Sequence, residues 1–139
     1  VVDRAWGERY AGRTMHPLAE AEAVQFDHNG RLLRAGKNIL TPQHDPQQFG
    51  EFIGMMKMSR AGYSRFWDLF DEINSSLDEE APFQQATSWR RAYLTDLLQE
   101  MVDRDLEVNC SLIQGSWLEI DTLQDYEKAQ SFDFNSGPR

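Results

Sequence analysis

The Asn29-Gly30 dipeptide constrains this chain more than any other short feature. It sits between two short stretches, Ala19 to Phe26 and Arg31 to Lys37. Asn-Gly between alternating segments is the strongest local signal for a tight antiparallel hairpin. A β-hairpin is therefore expected, with Glu22–Asp27 and Arg31–Ala35 as its arms. Ile39 to Phe49, with two prolines and a His-Asp pair, reads as a loop. Phe52-Ile53-Gly54-Met55-Met56 is a near-continuous apolar run, the pattern of a strand buried on both faces, and Gly54 marks a bulge or close backbone approach.

The hydrophobic period then changes. From Ser59, apolar residues at Tyr63, Phe66, Trp67, Phe70 and Ile73 follow the spacing of a core-facing helical stripe. A second helix is expected over Ser88 to Asp103, with Leu94, Leu97, Leu98, Met101 and Val102 on one face. Val108 to Ile113 reads as a strand, Gly115-Ser116 as its break, and Trp117 to Ile120 as a return to extended chain. Thr122 with Asp125 resembles a capping box for a last helix, roughly Leu123 to Ser131. The order is hairpin, strand, helix, helix, strand and helix. It gives an α/β class with a mixed sheet, a β-hairpin and three helices. The chain divides into one incomplete domain over 1–132 and a frayed tail over 133–139.

Val1-Val2-Asp3 reads like the end of a buried strand, with Trp6 and Tyr10 as anchors of the irregular stretch after it. No initiator Met precedes it, so either a segment upstream is missing or the terminus is processed or engineered. A sheet with so few strands leaves an apolar face to be covered by another segment or chain.

Composition removes several classes of function. The net charge of −9 argues against sequence-independent nucleic-acid binding, which needs clustered Lys and Arg. No run approaches the roughly eighteen apolar residues of a membrane span, and no secretory signal is visible. The single Cys110 cannot form an internal disulfide and reads as a small core residue, which fits a cytoplasmic setting. His16, His28 and His44 are far apart, without zinc-ligand spacing. No G-x-S-x-G elbow occurs.

Gly115 to Thr122 carries the most chemistry. Alternation puts Trp117, Glu119 and Asp121 on one face of an extended segment and Leu118 and Ile120 on the other. Two carboxylates on one face repel each other unless a cation or several donors lie between them. Hard oxygen ligands of this kind suit Mg²⁺. Alternatively, Asp121-Thr122 only starts the last helix and Glu119 faces water.

Trp117-Leu118-Glu119-Ile120-Asp121-Thr122, followed by Asp125-Tyr126-Glu127-Lys128-Ala129, resembles the closing motif of sugar-phosphate and phosphocholine-type nucleotidyltransferases. Gly50-Glu51-Phe52-Ile53-Gly54 with Lys57-Met58-Ser59 is similar to their central strand. Tyr93-Leu94-Thr95-Asp96-Leu97-Leu98 is similar to the helix before the closing segment. The order of the three blocks matches, and with the hairpin they span most of the chain. The nearest resemblance is to cytidylyltransferases acting on phosphocholine or phosphonates.

That resemblance implies the C-terminal half of a Rossmann-like nucleotidyltransferase fold. Its activity would be transfer of a nucleotidyl group, cytidylyl above all, from a nucleoside triphosphate to a small phosphorylated or phosphonate acceptor. Asp121 resembles the second Mg²⁺ ligand, whose partner is an Asp expected upstream; Asp3 does not match that partner. The glycine-rich loop of such enzymes does not occur in these 139 residues, so the chain alone is expected to be inactive. Its expected partner is a missing N-terminal half or a second copy of itself. The competing reading is a non-catalytic half-fold that self-associates through its uncovered sheet.

Trp117, Tyr93 and Trp89 would form an aromatic wall for a quaternary ammonium, with Glu119 adding charge. Core packing of Trp89 and helix-surface packing of Tyr93 is the favoured alternative. Arg90 and Arg91 either hold a phosphate or are solvated, and Lys37 and Lys57 are equally open.

Overall fold

The computed structural model describes residues 1–40 and 45–132. His44, Thr41 to Gln43 and the expected tail over 133–139 lie outside the described residues. Within them the class is α/β, with one five-stranded mixed sheet and three α-helices.

The hairpin forms as the Asn-Gly signal requires. Strand β2 (Ala23–Phe26) pairs antiparallel with β3 (Leu32–Gly36), in the register Val24 opposite Ala35. The Asp27 carboxylate accepts from the backbone N–H of Asn29 and Arg31 at 2.8 and 2.9 Å, which closes the turn.

Strand β4 covers Phe49–Phe52 and overlaps the expected Phe52–Met56 strand only at Phe52. The strand ends at Phe52, with Ile53 N–H still donating to the Val1 carbonyl at 3.3 Å, and Gly54 then takes φ +73°, a turn conformation open to glycine. Met55, beyond that turn, is 61% exposed. All four residues of β4 are buried, so two-sided burial holds for the strand although its position differs.

The first residues form an inner strand of the sheet, next to its edge. Strand β1 (Val2–Asp3) lies between β4, antiparallel, and β5 (Leu112–Ile113), parallel, in the order β3-β2-β4-β1-β5. The buried strand end read at Val1-Val2-Asp3 is thus observed. Val108–Ile113 contributes only Leu112 and Ile113 to a named strand, plus one isolated bridge from Asn109 to Arg31. Trp117–Ile120 joins no strand. Gly115 and Ser116 both take left-handed conformations, φ +69° and +65°, and the chain leaves the sheet edge there.

Helix α1 (Arg60–Ser76) starts at Ser59, whose hydroxyl accepts from Gly62 N–H at 3.0 Å. It buries Phe66, Leu69 and Ile73, each worth about 1.5–3 kcal/mol relative to exposure. The expected five-residue apolar stripe is only partly core. Tyr63 and Trp67 are 56% and 41% exposed. At about 100° per residue Trp67 projects roughly 120° from Ile73, so its edge of the stripe overhangs the core. There it packs edge-on against Phe66 and Phe70.

Helix α2 runs Leu94–Asp103 rather than from Ser88. Trp89–Arg91 forms a separate 3-10 turn, and Ala92 and Tyr93 are extended. Asp96 fixes this start by accepting from Tyr93 N–H at 2.8 Å. Leu97, Leu98 and Met101 are buried in the main core with Val2, Val24, Phe26, Phe52 and the α1 residues. Cys110 is partly buried against that core.

Helix α3 (Leu123–Ala129) begins at the expected Thr122–Asp125 capping box. Trp6, Tyr10 and Ala21 form a second buried cluster, and Ala23, Ile39 and Phe49 a third. Strands β1, β2 and β4 are buried almost throughout, so, contrary to expectation, no broad sheet face is uncovered among the described residues, although the edge strands carry exposed Leu33 and Leu112. Further apolar exposure falls on Tyr63 and Trp67 of α1 and on Ile120, Leu123 and Tyr126.

Candidate functional site

Asp3 ends β1 with its side chain fully buried. A buried carboxylate is tolerated only when donors satisfy it, and Asp3 has four. One oxygen accepts from Ala5 N–H at 2.9 Å and Gly115 N–H at 2.7 Å. The other accepts from Arg9 Nε at 3.1 Å and Trp117 Nε1 at 2.7 Å. Asp3 thus fastens the turn at 115–117 to the inner strand β1. Arg9 reinforces it by donating to the Trp117 carbonyl and lying 5.2 Å from its ring centroid.

Arg13 and the loop after it do the same for α3. The guanidinium Nε lies 2.8 Å from Asp125 Oδ1, and Nη2 donates to Oδ2 at 2.9 Å. Burial alone would raise the Asp125 carboxyl, but hydrogen bonds from Arg13 and Thr122 outweigh it and hold the group below its usual range. Gln124 Oε1 accepts from Thr14 N–H at 2.9 Å, and Lys128 donates to the Ala11 carbonyl at 3.0 Å.

These ties bring His16 to the closing segment. Its Nδ1 lies 3.2 Å from Asp121 Oδ2. Ligand atoms of His16, Glu119 and Asp121 all lie within 4.8 Å of one another. Arg13 stands nearby, 3.7 Å from Glu119 and 3.9 Å from Asp121. The two carboxylate side chains are 38% and 43% exposed, so the cluster opens to solvent. Burial, then the charge of Asp121, raises the Glu119 carboxyl above its ordinary value.

A cavity of about 510 Å³ adjoins this cluster, with Arg9, Arg13, Glu51, Trp117, Glu119 and Asp125 in its wall. Glu51 projects from β4 and is 4% exposed. Tyr10 O–H donates to one of its oxygens. Burial pushes Glu51 up to about 7 and the Tyr10 hydroxyl well above its usual value.

The structure separates the expected aromatic wall into three places. Trp117 and Glu119 line the 510 Å³ cavity. Tyr93, 52% exposed, lines another of about 340 Å³ with Lys37 and Asp96. Lys37 Nζ is 4.2 Å from the Tyr93 ring centroid and 2.8 Å from Glu20. Trp89 is buried in the core, 4.9 Å from the Phe83 ring, and donates to Asn74 at 3.2 Å. Arg90 and Arg91 are exposed, Arg90 lying 3.5 Å from Glu80. Lys57 is exposed as well.

Arg13, His16, Tyr10 and Glu51 escaped the reading of the sequence as site residues. His16 lies 105 positions before Asp121, and spacing cannot report such a pairing. The available signals were weak: an Arg in an otherwise irregular loop and a Glu within an apolar strand.

No family model matches the chain and no solved structure matches it. Among curated proteins it is similar to the CTP:phosphoglutamine cytidylyltransferase of Campylobacter jejuni, 26% identical over 127 residues. That match takes in 91% of this chain and 47% of the relative, so the chain spans about half the length of the protein it matches. The likeness first carried by the Trp117–Thr122 motif thus extends along nearly the whole sequence, and the chain is cytidylyltransferase-like.

Proposed function

We propose that this chain is the acceptor-binding and metal-binding half of a Rossmann-like nucleotidyltransferase. The reaction would transfer a cytidylyl group from CTP to a small phosphorylated or phosphonate acceptor. The observation that carries this reading is the pair Glu119 and Asp121, open to solvent beside the 510 Å³ cavity, within a chain similar to a cytidylyltransferase. Asp121 is the proposed ligand of Mg²⁺, and its oxygen chemistry fits a hard divalent cation. Such an ion would neutralise charge on phosphate oxygens. Asp3 does not compete for this role, since four donors occupy its two oxygens.

The remaining residues position rather than react. Arg13 and Gln124 fix α3, and with it Asp121. Asp3 and Arg9 fix Trp117, and with it the approach to Glu119. Trp117 and Glu119 would contact the acceptor in the cavity. Among the described residues no helix is long and apolar enough to cross a membrane; a cytoplasmic setting is part of the proposal.

Calorimetric titration with phosphocholine, a simple aminoalkylphosphonate and CTP, each with and without Mg²⁺, tests the proposal. The expected result is Mg²⁺-dependent binding of an acceptor that Asp121→Ala abolishes, and no tight binding of CTP. Absence of acceptor binding refutes the acceptor role. Micromolar CTP binding refutes the claim that nucleotide binding needs residues beyond these 139. A second reading, a self-associating module without catalysis, is favoured by exposed Tyr63 and Trp67 on α1. Concentration-dependent sedimentation that Trp67→Lys abolishes would support it.

A further inference from the structure

We infer that His16 is a third metal ligand beside Glu119 and Asp121, and that it makes the site prefer Mn²⁺ or Zn²⁺ over the Mg²⁺ it also accepts. The inference rests on the proposal that Asp121 holds a metal, and adds which ion it prefers. The three ligand atoms lie within 4.8 Å of one another, a few tenths of an ångström more than the roughly 4.4 Å that a single ion with bonds of about 2.0–2.2 Å can span, a gap that a small rotation of the half-exposed carboxylates closes. They come from two segments, the loop after Arg13 and the chain before α3. Those segments are held together by Gln124, Lys128 and the Arg13–Asp125 pair, none of which is in the set. The geometry therefore does not depend on the metal for its assembly.

Charge balance points the same way. Arg13 is the neighbouring cation, yet its two close contacts go to Asp125. It stands off Glu119 and Asp121 at 3.7 and 3.9 Å, beyond hydrogen-bonding distance. Two carboxylates so placed have unspent acceptor capacity toward a further cation. A site of carboxylate and water alone suits Mg²⁺, whereas an imidazole nitrogen in the set favours borderline Zn²⁺ most, and Mn²⁺ over Mg²⁺, because Mg²⁺ gives up its water reluctantly. His16 offers Nδ1 on the side of Asp121, and its side chain is 22% exposed, so the ring is within reach of an entering ion.

Titration of the chain with MnCl₂, followed by the loss of the free-ion paramagnetic resonance signal, and with MgCl₂ by competition tests this. Wild type should bind Mn²⁺ at least about tenfold tighter than Mg²⁺. His16→Gln should weaken Mn²⁺ by about tenfold or more while changing Mg²⁺ less than about threefold. Asp121→Asn should abolish both. On the unaltered chain, Mn²⁺ should selectively broaden the nitrogen resonances of the His16 ring. Equal loss of both ions in His16→Gln, no loss of either, or an unbroadened His16 ring overturns the inference. If Asp121→Asn still abolishes binding in those cases, the metal role of Asp121 stands without His16. If wild type takes up neither ion, both metal assignments fall, and acceptor binding is judged by the titration above.

Discussion

Arg13 and Asp125 meet through two contacts of 2.8 and 2.9 Å, with side chains only 5% and 4% exposed, across 112 positions of sequence. Removing one partner leaves a buried charge uncompensated, so Asp125→Ala is expected to cost about 3–5 kcal/mol. Asp125 also accepts from Thr122 N–H and Oγ1, and the cap of α3 goes with it. Urea unfolding of Asp125→Ala, Arg13→Met and the double variant measures this. The double variant should cost clearly less than the sum of the two single ones. Strict additivity would show that the pair is not coupled.

The same pair sets an acid limit. The Asp125 carboxyl is depressed in the folded protein, so its contribution is fully present above the unfolded value near 3.8. It is lost as pH falls through the lower folded value. The acid unfolding midpoint should therefore move to higher pH in Arg13→Met, followed by tryptophan fluorescence.

Glu51 behaves in the opposite sense. Burial holds its carboxyl up at about 7 against 4.5 for the free group. The folded state thus keeps a proton that the unfolded state has lost between these values, and stability falls as pH rises through that window. Glu51→Gln keeps the shape and removes the charge. Relative to this variant, wild type should lose up to about 3 kcal/mol between pH 4.5 and 7. Parallel curves of stability against pH for the two proteins would show that Glu51 does not titrate there.

How much was legible in the sequence depends on the range of the interaction. The hairpin at Asn29-Gly30, the Ser59 start of α1 and the Thr122–Asp125 box are set by contacts within a few residues, and each forms as expected. Strand β4 was misplaced because a buried Glu51 and a Gly50 under Val2 break the apolar pattern that marks a strand. Helical spacing points Trp67 toward the core, but it gives a direction and not the width of what lies opposite. In the candidate site, Glu119 and Asp121 were visible as a local alternation. His16, Arg13 and Glu51 arrive from segments 68 or more residues away, and only the packed chain brings them there.

Gly50 shows how close that packing is. A Cβ added there would lie 2.4 Å from Val2 Cγ1 and 2.8 Å from the Asp3 carbonyl oxygen. Backbone cannot yield as a side chain can, and overpacking of this kind costs about 1–3 kcal/mol or more. Gly50→Ala should lower the melting temperature by several degrees and disturb β1 first, since Val2 and Asp3 take the clash. Hydrogen exchange at Val2 and Arg4, whose amides bond to Ser111 and Ile113, should quicken more than exchange in α2. Uniform acceleration would argue against a local origin.

Trp117→Phe separates the hydrogen bond from the ring. Phenylalanine retains an aromatic face for Arg9 but has no N–H for Asp3. Asp3 would keep three of its four donors, so the expected cost is that of one hydrogen bond to a charged acceptor, about 1.5–3 kcal/mol. The functional effect should exceed what stability predicts, because this bond and Gly115 N–H fix the turn that leads to Glu119 and Asp121. Metal affinity of Trp117→Phe, measured well below its unfolding midpoint, should fall several-fold, and raising the metal concentration should recover the bound state. A variant that loses stability but binds metal as wild type does would show that α3, through Arg13 and Gln124, positions the carboxylates without help from the turn.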